Sequence, residues 1–176
     1  MLTVNLLFST LIFWLTARLY LESRLPRLEV QAVVIPILLL HAMRHLGLMF
    51  LEPGATDPGL PADFAVPAAL GDFLAATLAL IALPAVVQRS RLAKPLVWIF
   101  NLEGSVDLVL AIALATVHDA APYMGAAYWI PAVWVPALLV THFIVFRLLL
   151  QPWPVRDEGR GTSHRTKVES GTNHVA

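Results

Sequence analysis

The sequence predicts an all-α, polytopic membrane bundle of five transmembrane helices, and three observations carry that prediction. Of the 176 residues, 58% are hydrophobic and only 14% charged, whereas an average soluble domain is about 25% charged. Mean hydropathy is +0.72. Five mostly apolar runs reach the roughly 20 residues that a helix needs to cross the hydrocarbon. The runs are too long for strands and lack the polar/apolar alternation of a membrane barrel.

Each element follows from its own residues. The first run, Leu2 to Tyr20, carries the amide Asn5 near its outer end and finishes near Arg18. No basic residue precedes it and no small-x-small site follows, so it reads as a retained anchor rather than a cleaved signal. The second, Val30 to Leu51, and the third, Val66 to Val87, are joined by a loop, Glu52 to Asp63, stiffened by prolines and glycines. The fourth covers Leu96 to Val117 and the fifth Met124 to Leu150. Pro36, Pro84, Pro131 and Pro136 lie within the runs, where neighbouring helices can re-satisfy the freed carbonyls. Kinks are expected there, most of all in the fifth helix. In the third, Gly71, Ala75 and Ala79 form a small-residue stripe suited to close helix contact. The transmembrane domain is expected to span residues 1–154. Residues 155–176 are polar and Gly/Ser/Thr-rich, the composition of a disordered tail.

Basic residues set the expected orientation. Arg18, Arg24 and Arg27 follow the first helix, Arg89, Arg91 and Lys94 follow the third, and Arg147, Arg156, Arg160, Arg165 and Lys167 close the chain. The loops Glu52 to Asp63 and His118 to Tyr123 hold no Lys or Arg. The positive-inside rule therefore places the amino terminus outside and the carboxyl terminus in the cytoplasm of a cell inner membrane.

Composition also excludes function classes. Twelve basic and twelve acidic residues cancel, so nothing favours nucleic acid as a partner. The absence of cysteine removes thiolate metal sites, iron–sulfur clusters and cysteine nucleophiles. Nucleotide-binding glycine loops and serine nucleophile motifs are missing. The partners expected are the lipid bilayer and, as a homo-oligomer or membrane-complex subunit, other protein chains.

Against this apolar background seven ionisable residues fall at bilayer depth, away from the span ends: His41, Arg44, His45, Asp72, Glu103, Asp107 and His142, with Asn101 as a further polar side chain. Charges at bilayer depth cost about 2.5–3.5 kcal/mol each on insertion scales, which makes them functional candidates. His41 and His45 are four apart, as are Glu103 and Asp107, so each pair shares a face of an ideal α-helix. Counting ~1.5 Å per residue from the cytoplasmic ends pairs these groups by depth. Glu103 meets His142, His41 meets Asp107, and Arg44 and His45 meet Asp72.

Such a polar core suits a proton relay or cation path, because two carboxylates on one face beside histidines can exchange a proton. It also suits ligand binding within a transport component. A metal site is the alternative: His41 and His45 with Glu103 and Asp107 could hold zinc or iron, and would serve a membrane hydrolase or lipid isomerase. The stretch His41-Ala-Met-Arg-His45 lacks the glutamate of the metalloprotease motif. Haem between His41 or His45 and His142 is disfavoured by their unequal depths. A third reading is an accessory subunit whose polar layers fix its packing.

Overall fold

The computed structural model describes residues 1–153; the expected tail, and the exact end of the membrane domain, lie outside them. Among the described residues the chain is all-helical, with no strand. Five helical segments are long and apolar enough to cross a membrane: Leu2–Glu22, Val30–Leu51, Ala62–Val87, Ala93–Val117 and Gly125–Leu149. Two begin earlier than hydropathy suggests, at Ala62 rather than Val66 and at Ala93 rather than Leu96. Each early turn carries a charge, Asp63 and Lys94, that an apolar count leaves out. Asp63 suits its place, since an acid in the first turn complements the helix dipole.

We label the α-helical parts α1 (Leu2–Thr16), α2 (Val30–Ala42), α3 (Ala62–Val87), α4 (Ala93–Val117) and α5 (Val135–Leu149). α3 is the central element, packed on α2, on the segment following α2, and on α4; α5 lies against α4 and α1. α1 has no buried residue and leans on α5 and the turns before it. That position agrees with its lack of ionisable side chains. α2 and α3 continue through Pro36, Pro67 and Pro84. The fifth span is the most irregular: a 3₁₀ segment, Gly125–Tyr128, and a π-wound segment, Ile130–Trp134, precede α5 around Pro131 and Pro136.

The loops at one end are tied together. Asp57 N–H donates to the Tyr123 carbonyl at 2.9 Å, and Ala127 N–H to the Ala55 carbonyl at 3.1 Å. Gly125 has φ of +49°, and a Cβ there would lie 3.1 Å from the Ala55 carbonyl, so a side chain would meet both strain and crowding. At the other end, ion pairs Glu29–Arg89 and Glu22–Arg147 join neighbouring segments.

Burial follows a plan that positions the site. One apolar cluster joins Val34, Leu38, Ala82, Val97, Phe100 and Val145. A second joins Phe50, Phe64, Ala69, Leu108, Met124 and Leu138. Between them in the chain order of α2 to α5 fall the buried polar residues His41, Arg44, Asp72, Asn101, Asp107 and His142. The bundle is thus two apolar cores with a polar layer at mid-height.

Candidate functional site

A change of helical winding creates the layer. After Ala42 the second span tightens into a 3₁₀-helix, Met43–Leu51, with three residues per turn rather than 3.6. Residues three apart now share a face. His41, Arg44, Gly47 and Phe50 are all buried in one row, while His45 is turned outward and exposed. His45 instead donates from Nδ1 to the Ala42 carbonyl, 3.0 Å away. The expectation that His41 and His45 act together fails here, because it assumed an α-helical period.

Arg44 is the centre of the layer, with a side chain that is 0% exposed. Nε donates to Asp72 Oδ1 at 2.7 Å and one terminal nitrogen to the Gly104 carbonyl at 3.2 Å. The other terminal nitrogen donates to Asp107 Oδ2. Every guanidinium nitrogen is engaged. The depth pairing of Arg44 with Asp72 is realised, and Asp107 joins them instead of pairing with His41. Heights along a helix were counted without the rotation of α4, which turns Asp107 toward α2 and α3.

Three glycines make the triad sterically feasible. A Cβ on Gly47 would overlap the Asp72 carboxyl group, and one on Gly71 would overlap the Asp107 carboxylate. One on Gly104 would lie 2.8 Å from an Arg44 terminal nitrogen and 2.7 Å from His142 Cε1. Gly71 therefore seats a carboxylate, a role that the small-residue stripe did not disclose. Ala75 and Ala79, fully buried, do serve close packing.

Beside the triad lies a histidine pair. The rings of His41 and His142 are 4.3 Å apart between centroids, and Phe100 packs on both. The Asn101 amide donates from Nδ2 to the His142 carbonyl, so its Oδ1 accepts from His142 Nδ1 at 2.7 Å. That assigns the proton to Nδ1 and leaves the Nε2 lone pair free. The Thr141 hydroxyl donates to the Leu138 carbonyl, so it accepts from His41 Nε2 at 2.9 Å. His41 Nδ1 is then the free acceptor. Both open nitrogens are buried, with no hydrogen-bond partner among the described residues. Thr141, which sequence reasoning passed over, was signalled only by its place next to His142.

Glu103 does not meet His142. It is half-buried at the edge of α4, with Oε2 lacking a partner, and it shares a groove with Asp107, Leu102, Val106 and Leu110. Asp72 borders a different space, a cavity of ≈ 100 Å³ enclosed by α1, α3, α4 and the fifth span. Its walls are apolar, including Leu6, Phe64, Leu108 and Ile130.

The suggested metal set is not assembled. His45 points away, and Asp107 is held by Arg44; among the described residues no three His, Asp or Glu side chains converge on a point that could hold a metal ion. The His41 and His142 rings are in direct contact, which corrects the unequal depths expected from counting along the helices, and no gap is left between them for a haem.

Residues 1–150 match a family described as a domain of unknown function, DUF8737, and the chain belongs to that family. No curated protein and no solved structure gives a match.

Proposed function

We propose that the protein is a multi-pass inner-membrane component that takes up and passes a proton or small cation at the Asp72–Arg44–Asp107 triad. One observation carries this reading: two buried carboxylates share a single buried guanidinium. Taken as ions, the three groups are one positive charge short, and an uncompensated charge at bilayer depth is costly. A proton or small cation supplies the missing charge. The carboxylates border separate spaces, Asp72 the cavity and Asp107 the groove it shares with Glu103. Arg44 links the two, and the open histidine nitrogens give a neighbouring place for a proton to rest.

The positive-inside pattern supports the amino terminus outside and the carboxyl terminus in the cytoplasm. Reporter fusions check it: a periplasm-active phosphatase at the carboxyl terminus would reverse the orientation. Assembly as a homo-oligomer or with a partner chain would cover the groove on α4, which the chain leaves open. The metal-enzyme alternative gains no support from the geometry.

The test is proton movement in proteoliposomes loaded with a pH-sensitive dye. The reading expects an imposed pH gradient to collapse faster with the wild-type protein than with Asp107→Asn. Equal collapse in protein-free and wild-type vesicles sinks the reading and leaves the triad as an internal brace.

A further inference from the structure

The four spans α2 to α5 end together at the ion-paired end of the bundle, and a second cavity opens there. It has a volume of ≈ 400 Å³ and is lined by Gln31, Ser90, Arg91, Lys94, Trp98 and Trp153, with Ala93 and Pro95 between them. None of these residues belongs to the triad.

The polar groups at this cavity are predominantly donors. Ser90 Oγ accepts the Leu92 N–H at 3.2 Å, which leaves its own O–H free to donate. Lys94 Nζ gives one hydrogen to the Gln151 carbonyl at 3.1 Å and keeps two. Arg91 is exposed, with its fork of five N–H groups. Among the described residues no carboxylate lines the cavity, and Glu29, two residues before Gln31, is paired with Arg89. Two cations and a hydroxyl around one space call for an acceptor-rich anion.

The second observation is Gln31. Its residue exposure is 7%, and Oε1 is buried with no hydrogen-bond partner. A buried amide oxygen without a partner is costly; Gln31 lines the cavity, and rotation of its amide toward that space would let a ligand hydroxyl supply the missing donor. The remaining walls are apolar. Trp153 Nε1 donates to the Leu148 carbonyl at 2.9 Å, so its ring faces are left for packing, and Trp98 stacks at an angle on Phe146. Tryptophans at the ends of spans mark the headgroup level of a bilayer.

We propose that this cavity is a binding site for an anionic phospholipid with a hydroxyl-bearing headgroup, of the phosphatidylglycerol type. The phosphate sits among Arg91, Lys94 and Ser90, the glycerol hydroxyls reach Gln31, and the acyl chains run down beside Trp98 and Trp153. Basic pockets between membrane helices commonly hold such headgroups.

The test uses the full chain in detergent, with melting temperature and lipid retention in native mass spectrometry as readouts. The probes are phosphatidylglycerol, phosphatidic acid, phosphatidylcholine and soluble glycerol phosphate. Phosphatidylglycerol is expected to bind in preference to phosphatidylcholine, and the double variant Arg91→Gln/Lys94→Gln to weaken it by about tenfold or more, as two juxtamembrane cations should. Arg91 is exposed in the turn before α4 and Lys94 lies in its first turn, so this variant leaves the apolar cores untouched. Gln31→Met is expected to narrow the preference for phosphatidylglycerol over phosphatidic acid. Equal retention of phosphatidylcholine, or unchanged binding in the double variant, overturns the site. Glycerol phosphate binding as tightly as the lipid overturns the lipid assignment.

Discussion

The two ends of the polar layer are built on opposite terms. At the Arg44 end the charges are mutually engaged, and glycines are placed so that nothing crowds the fork. At the histidine end the groups are neutral in their hydrogen-bonding roles, and each ring keeps one nitrogen open. The difference separates rigidity from readiness. A guanidinium with three anchored nitrogens fixes the relative rotation of α2, α3 and α4. Two imidazoles with free lone pairs can accept a proton or a donor without any backbone change. The comparison predicts large losses from disturbing the first end and small ones from disturbing the second.

The largest effect should come from Arg44→Met. It leaves two carboxylates buried without their cation, and breaking a buried pair in this way costs ~3–5 kcal/mol. Arg44→Lys should recover only part of that, because an ammonium cannot hold three partners on a planar fork. Thermal unfolding in detergent measures both, and a full recovery by lysine would show that charge alone matters.

Gly71→Ala ranks next. Its Cβ falls on the Asp107 carboxylate, and overpacking of this kind costs about 1–3 kcal/mol. The same method applies, and a neutral outcome would mean that α4 shifts freely against α3.

His41→Phe should be milder, below about 1.5 kcal/mol, the range of one net hydrogen bond. The ring already packs on Phe100 and His142, so an aromatic replacement keeps the contacts. A loss as large as that of Arg44→Met would erase the contrast between the two ends. Smallest of all should be Leu7→Ala in α1, an exposed position, with a change within about 0.5 kcal/mol.

Much of this was legible in the chain, and the failures have physical causes. The five spans follow from length and hydropathy alone, and the place of α1 outside the polar layer from its lack of ionisable residues. Depth counted from rise per residue pairs Arg44 with Asp72, yet it sets His41 apart from His142, whose rings touch. Rotation about the helix axis is another matter. The 3₁₀ segment carries no proline to announce it, so His45 was placed inward when it faces out. Asp107 was assigned to His41 because its azimuth on α4 cannot be counted from one end. The glycines of the triad look like packing residues until the partner side chain is seen, since what they accommodate lies on another helix.

The central claim is that Arg44 binds its carboxylates as one unit, and a double-mutant cycle tests it most directly. The proteins are Arg44→Met, Asp72→Leu and the combination, compared by unfolding free energy in one detergent. The account predicts that the combination loses clearly less than the two single losses added together, because Arg44→Met strands the Asp72 charge that the combination removes. A plain sum would contradict it, leaving Arg44 and Asp72 as neighbours without energetic coupling.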